Sequence, residues 1–186
     1  MTFDQSLLQW IQDTLTCPAL DLLMPRVTAL GNGGAVWLLA AGGLLCTKKY
    51  RKQGVLLLGG LAAGALVGNV VLKNLVARPR PCWLDSSVQL LIPNPTDYSF
   101  PSGHTLSSVI GATVLTKTDR RFGYAAIPLA ALIAFSRLYL YVHFPSDILA
   151  AAVLGVAIGE LTYRFGGRCY DNYLRRRQQR RETEQR

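Results

Sequence analysis

Apolar residues in this chain gather into five blocks that contain almost no charged side chains. The blocks cover residues 33–47, 53–72, 102–116, 122–140 and 146–163. Apolar segments of this kind are typical of helices that cross a lipid bilayer. The second, fourth and fifth blocks are long enough to span a bilayer by themselves. The first and third are short and need flanking residues.

The N-terminal segment has a different pattern. Its apolar side chains are spaced four apart, at Phe3, Leu7, Ile11 and Leu15. This spacing predicts an amphipathic helix lying in the membrane interface, and Pro18 and Pro25 interrupt the stretch after it. The alternative is a kinked first span reaching Leu30. That span would place four charged side chains in lipid at considerable cost, namely Asp4, Asp13, Asp21 and Arg26.

The predicted fold class is an all-α, polytopic membrane helix bundle of five to six spans with an N-terminal interfacial amphipathic helix. We divide the chain into an interfacial segment (1–30), the membrane bundle (31–165) and a basic tail (166–186). Frequent Gly and Ala in the second block favour close helix packing in lipid.

Charge adds an orientation to this picture. The chain is 50% hydrophobic with a formal net charge of +9, and 15 of its 20 Lys and Arg lie in residues 48–52, in residues 117–121 and after Tyr163. Membrane topology explains this clustering better than nucleic-acid binding. The positive-inside rule places these segments in the cytoplasm and residues 1–32, 73–101 and 141–145 on the opposite face. We expect the tail to be disordered and solvated, with contact to anionic headgroups as an alternative.

Cysteine usage indicates no metal site, because none of the four cysteines has a spacing typical of metal ligands. Cys17 and Cys82 fall on the same predicted side of the membrane. The sequence leaves open whether they form a disulfide or stay free.

Three polar segments lie on the predicted outer face. The first runs from Lys73 through Arg78 and Arg80 to Pro81. The second is Pro101-Ser102-Gly103-His104. The third contains Ser136, Arg137, His143 and Asp147. The two histidines in these segments are the only ones in the chain.

Cations on the outer face point to an anionic ligand. Arg offers planar paired donors that match phosphate oxygens, and Lys adds a compact charge. Ser102 is a candidate N-cap, and Gly103 allows a ligand to approach the backbone at a helix N-terminus, which favours anions. His104 lies in the same first turn, where it could donate a proton.

His143 and Asp147 are four residues apart at the start of the last span. On a helix, this spacing can place a carboxylate beside an imidazole. A carboxylate bound to one ring nitrogen fixes the tautomer and leaves the other nitrogen nucleophilic. Taken singly, each segment is as consistent with a purely structural role as with a functional one. The structural roles are a turn, an interfacial anchor and an ion pair.

Together the three segments resemble the signature of the type 2 phosphatidic acid phosphatase superfamily. Lys73, Arg80 and Pro81 match its first part, residues 101–104 its second, and Ser136, Arg137, His143 and Asp147 its third. The chain is similar to the short bacterial members that act as undecaprenyl-diphosphate phosphatases or phosphatidylglycerophosphatases.

The resemblance implies a metal-free and cofactor-free mechanism. Phosphate would bind among Lys73, Arg80, Ser102, Gly103 and Arg137. His143 would attack phosphorus, Asp147 would orient it, and His104 would protonate the leaving oxygen. Ser136 would support these groups from behind. Arg78 is outside the signature, and we expect it either to support the same groups or to contact a second phosphate.

The expected function is hydrolysis of a lipid phosphate or diphosphate at the extracytoplasmic face of a plasma (inner) membrane. Undecaprenyl diphosphate is the first candidate, followed by phosphatidylglycerol phosphate and phosphatidic acid. A lipid phosphotransferase and a non-catalytic lipid transporter remain alternatives. Neither the lipid tail nor the oligomeric state follows from the residues.

Overall fold

The computed structural model describes residues 2–184 and is all-helical over that range. Helix α1 covers Phe3–Leu15 and α2 covers Pro18–Leu30. A short 3-10 turn over Asn32–Gly34 leads into α3, Ala35–Cys46. Helix α4, Arg51–Gly64, continues through a π-helical segment, Ala65–Leu72, into α5, Lys73–Val76.

A long loop separates the next short helix from the remaining helices. The short α6, Pro81–Leu84, precedes the loop, and α7, Gly103–Thr118, comes after it. Helix α8 covers Arg120–Tyr139 and α9 covers Pro145–Leu161. A second π-helical segment, Thr162–Gly166, joins α9 to α10, Gly167–Glu184. Each of the five predicted apolar blocks is therefore helical.

Helix α7 lies at the centre of the bundle and packs against α4, α8 and α9. Glycines bring the helices together in the second block as predicted, since a Cβ added at Gly60 would lie 3.0 Å from Ile110 of α7. The same holds in α9, where a Cβ added at Gly155 or Gly159 would lie 2.7 or 2.8 Å from side chains of α7. The indole of Trp37 reaches into the same core and donates a hydrogen bond to Ser108 Oγ at 3.0 Å.

Three helical segments of the described chain are long and apolar enough to cross a membrane: Arg51–Leu84, Arg120–Tyr139 and Pro145–Thr183. A fourth span results if α2 and α3, which are bent by 45° at their junction, count as one. Helix α7 has 16 residues, or about 24 Å at 1.5 Å per residue, which is less than the thickness of the hydrocarbon core. The five-to-six span count stays a prediction.

The N-terminal residues form two helices with a break at Thr16 and Cys17, and not one kinked span to Leu30. Three residues of the predicted stripe face the bundle, since Ile11 is buried and Leu7 and Leu15 are partly buried against the same cluster, whereas Phe3 is 73% exposed. Whether α1 lies in the interface stays a prediction.

Helix α2 crosses the end of α8. Tyr139 Oη donates to Asp21 Oδ1 at 2.5 Å, and Arg137 Nη1 donates to Thr28 Oγ1 at 2.6 Å. The chain then turns at Gly33 and Gly34, whose φ angles are +57° and +74°. Glycine adopts these left-handed angles without steric cost. This turn brings Asn32 toward the N-terminus of α7.

The C-terminal tail contradicts the prediction of disorder, because α10 continues from α9 as one helical segment to Thr183. Lys52 Nζ pairs with Asp171 at 2.7 Å and fixes the start of α10 to α4. All four cysteines are free thiols, Cys17 exposed and Cys82 buried, so the Cys17–Cys82 disulfide is not formed in this structure.

Candidate active site

One cavity of about 720 Å³ contains most of the predicted site. Both histidines line it, together with three predicted cations and the backbone of Gly103: His104, His143, Lys73, Arg80 and Arg137. Four predicted residues, Ser102, Ser136, Asp147 and Arg78, lie outside its lining. The structure therefore brings together residues from the three separate polar segments.

The three cations are buried, with Lys73 7%, Arg80 2% and Arg137 4% exposed. Burial of cations is unfavourable unless anions or hydrogen-bond acceptors compensate them. Arg137 Nη1 is bound to Thr28, but its Nε is buried and has no hydrogen-bond partner among the described residues. An unsatisfied guanidinium nitrogen beside this cavity indicates an anionic ligand.

His143 is 1% exposed and lies between a cation and a carboxylate. Its Nε2 is 3.1 Å from Arg80 Nη1, and its Nδ1 is 3.6 Å from Asp147 Oδ2. A guanidinium can only donate, so Nε2 must accept, and the neutral ring then carries its proton on Nδ1. This tautomer leaves the lone pair on Nε2. The 3.6 Å between His143 Nδ1 and Asp147 Oδ2 exceeds hydrogen-bond range. The Arg80 contact therefore helps to select this tautomer, which the sequence analysis attributed to Asp147 alone.

The pKa of His143 lies well below the usual 6.5, because burial disfavours the charged ring and Arg80, Arg137, Lys73 and His104 act in the same direction. The ring is therefore neutral near pH 7, as a nucleophile requires.

Asp147 is fully buried behind His143. Its Oδ2 accepts from the Phe144 backbone N–H at 2.9 Å, and its Oδ1 accepts from Arg78 Nη1 at 2.6 Å. Arg78 also donates to Ser146 Oγ and to Asp4 Oδ2, each at 2.7 Å, and stacks on the Phe144 ring. These contacts place Arg78 behind Asp147, as one interpretation predicted. The alternative, that Arg78 contacts a second phosphate, stays a prediction.

The N-terminus of α7 differs in detail from the prediction. Ser102 is the N-cap, but its hydroxyl is buried and accepts from the Thr105 N–H at 3.4 Å and hydroxyl at 3.0 Å, so it does not face the cavity. Gly103 does, and a Cβ there would lie 2.7 Å from Asn69 Oδ1. Ser136 Oγ donates to the Ile133 carbonyl at 2.6 Å and also points away.

Sequence reasoning missed several polar partners. Asn32 Oδ1 is 2.9 Å from His104 Nε2 and holds this ring at the break between α2 and α3. Thr28 binds Arg137, and Asp4 of α1 binds Arg78. The one sequence signal that could have found these partners is a polar residue within or beside an apolar stretch. Asn69 gives the same signal. Asp97 lies in the loop between α6 and α7. It contacts both Lys73 and Arg80.

These features define a helical membrane protein with a two-histidine, cation-lined anion site. Residues 53–171 match the PAP2 superfamily, and the chain belongs to this superfamily. The predicted family is thereby confirmed.

Curated relatives agree with this assignment. The chain is 37% identical over 128 residues to an undecaprenyl-diphosphatase of Sulfolobus acidocaldarius, covering 68% of this chain and 62% of the relative. It is 31% identical over 146 residues to undecaprenyl-diphosphatase BcrC of Bacillus subtilis, covering 78% and 75%.

Two solved structures share the fold. The crystal structure of Aquifex aeolicus LpxE superposes with a TM-score of 0.78 at 26% identity, covering 88% of this chain and 96% of that one. A transmembrane PAP2-type phosphatidylglycerolphosphate phosphatase from Bacillus subtilis superposes with a TM-score of 0.70 at 26% identity, covering 88% and 86%. The relatives support the prediction of a lipid phosphohydrolase.

Proposed function

We propose that the chain hydrolyses the terminal phosphate of a membrane lipid through a phosphohistidine intermediate. The observation that carries this proposal is the shared cavity, in which a neutral histidine, whose Nε2 lone pair faces Arg80, lies beside three buried cations. Cations stabilise charge on a transferring phosphoryl group, and the imidazole supplies the nucleophile.

The proposed phosphate position is between Lys73, Arg80, Arg137 and the backbone of Gly103. His143 Nε2 attacks phosphorus, the bond to the lipid oxygen breaks, and that oxygen takes a proton from His104. Water then attacks the phosphohistidine and gives its proton to His104. Inorganic phosphate leaves, and His143 returns to its starting state. Asp147 stabilises the positive charge that develops on His143, while Ser102 caps the N-terminus of α7.

An apolar wall supports a lipid substrate. The cavity extends from Lys73 past Ala65 to Leu61 on the same helix, with Leu106 of α7 opposite. This length of helix corresponds to about 18 Å along its axis. A polar end and an apolar end in one cavity suit an amphiphile.

Undecaprenyl diphosphate is the first candidate substrate, because two relatives carry the name undecaprenyl-diphosphatase. Phosphatidylglycerol phosphate is the second, on the likeness to the Bacillus subtilis structure, and phosphatidic acid is the third. We place the active site on the extracytoplasmic face of a plasma membrane, with the basic tail in the cytoplasm, on the distribution of Lys and Arg.

The test is phosphate release from each lipid by purified protein in detergent containing EDTA. We expect release from at least one lipid, and loss of activity in EDTA would contradict the metal-free mechanism.

His143→Ala should abolish turnover by removing the nucleophile while leaving phosphate binding intact. No release from any lipid would contradict the enzyme proposal, and tolerance of His143→Ala in a lipid-movement assay would favour a transporter. New phosphorylated products on adding acceptor alcohols would favour a phosphotransferase.

A further inference from the structure

The proposed phosphate position already holds an anion that belongs to the protein. Asp97, in the loop between α6 and α7, pairs with Lys73 through one carboxylate oxygen and with Arg80 Nη2 at 2.6 Å through the other. These are the cations that the proposed mechanism assigns to phosphate. A phosphoryl group and the Asp97 carboxylate therefore compete for the same donors.

The backbone around Asp97 is fixed more firmly than its side chain. Arg80 Nε donates to the Asp97 carbonyl at 2.7 Å. Ser99 donates its N–H and hydroxyl to the Arg78 carbonyl at 2.9 and 3.2 Å. The Asp97 side chain is 56% exposed. Rotation of this side chain toward solvent would release both cations without detaching the loop.

Asp97 stays ionised at working pH. Partial burial opposes its charge, but the bonds from Lys73 and Arg80 prevail and lower its pKa to about 2. Any ligand that reaches Lys73 and Arg80 must therefore displace a full negative charge.

We propose that Asp97 is a resident anion that every anionic ligand must displace, and that it sets an affinity threshold that terminal phosphates pass and singly charged phosphodiesters do not. This proposal rests on the phosphate position of the proposed function. A terminal phosphate carries roughly −1.5 to −2 charges near pH 7, so it gains attraction when it replaces a carboxylate. The phosphodiester of an ordinary phospholipid carries one charge and gains none.

Asp97 changes the concentration at which an anion fills the site more than it changes the ratio of affinities between two anions. Displacement of Asp97 lowers the affinity for every anion by a similar factor. Phosphodiester lipids are abundant in the surrounding bilayer, and this factor keeps their affinity below the level at which they would fill the site. It also favours departure of the product, inorganic phosphate.

The test compares binding of inorganic phosphate to the full-length chain in dodecyl maltoside at pH 7.5 by isothermal titration calorimetry. We expect Asp97→Asn to bind phosphate roughly tenfold more tightly than the natural chain, about one pKa unit of interaction after solvent screening. Asp85→Asn is the matched control, because Asp85 lies in the same loop and contacts Ser87 and Tyr141 instead of the cations. Asp97→Glu, which keeps the charge, should bind as weakly as the natural chain.

A second measurement tests the phosphodiester. Phosphatidylglycerol added to the micelles should inhibit phosphate release by Asp97→Asn at a roughly tenfold lower mole fraction than in the natural chain. Unchanged or weaker phosphate binding by Asp97→Asn, in protein that elutes and melts like the natural chain, would overturn the proposal and make Asp97 a support for Lys73 and Arg80. Failure of every variant to bind phosphate would overturn the phosphate position as well. Tighter phosphate binding by Asp97→Asn, with no lipid hydrolysis by any variant or by the natural chain, would uphold the proposed role of Asp97 and contradict only the proposed function.

Discussion

The proton balance of His143 links the chemistry of single residues to stability. Burial of its ring, together with three neighbouring cations, holds the pKa of His143 well below 6.5 in the folded chain. In the unfolded chain the imidazole is solvated and titrates near 6.5. The unfolded state therefore binds a proton below about pH 6.5 that the folded state does not bind.

The sign of this linkage gives a pH prediction. The contribution of neutral His143 to stability is present above pH 6.5 and is lost as the pH falls, by about 1.4 kcal/mol per pH unit. Between pH 7.5 and 5.5, the natural chain should lose more thermal stability in detergent than His143→Asn, which cannot titrate. Equal losses in both proteins would show that His143 is protonated in the folded state.

Residues of the signature could be located from the sequence, whereas their partners could not. Lys73, Arg80, Arg137, His104 and His143 all line the cavity as expected. Asn32, which holds His104, is 72 residues away from it along the chain. Such a pair depends on how helices cross, which local spacing does not encode. The hydroxyls of Ser102 and Ser136 were also expected near the site, but each forms a local hydrogen bond with a residue three positions away.

Among the elements, α1 shows where periodicity was insufficient. The predicted apolar stripe placed Asp4 on the polar side of the helix, yet Asp4 accepts from Arg78 Nη2 at 2.7 Å and from the Ser146 N–H and hydroxyl at 3.0 and 2.5 Å. Helix α1 is thus attached to the start of α9 beside Asp147. The existence of the five later helices could be predicted from their apolar content, because burial in lipid or core requires it.

Asp4 gives a prediction for α1 as a positioning element. Arg78 lies between two carboxylates, and loss of the Asp4 charge leaves Arg78 to neutralise Asp147 alone. A neutralised Asp147 stabilises the charged imidazole less, so Asp4→Asn should lower kcat roughly tenfold, equivalent to about 1.4 kcal/mol, with little change in KM.

The matched control is Asp13→Asn, which removes an exposed carboxylate from the same helix and should leave both constants unchanged. Asp4→Glu should recover part of kcat because it restores the charge. A rise in KM at constant kcat would instead assign Asp4 to substrate binding.

At the scale of the whole molecule, opposite ends of the bundle have different electrostatics. One end holds the cavity with its buried cations. The other is joined by surface ion pairs, Lys117–Glu160 and Lys52–Asp171, both at 2.7 Å, and continues into the arginine-rich α10. This separation fits the orientation predicted from the basic connections, in which 15 of the 20 Lys and Arg lie in the cytoplasm.

The native cysteines allow this orientation to be tested. Cys17, between α1 and α2, and Cys169, in α10, are both exposed thiols at opposite ends of the bundle. In chains that retain only one of them, a membrane-impermeant maleimide added to intact spheroplasts should label Cys17 within minutes and should reach Cys169 only after permeabilisation. Labelling of Cys169 alone in intact spheroplasts would invert the topology and place the active site in the cytoplasm. A lipid delivered to that face would then be the relevant substrate, so the orientation decides which pool of lipid phosphate the site can reach.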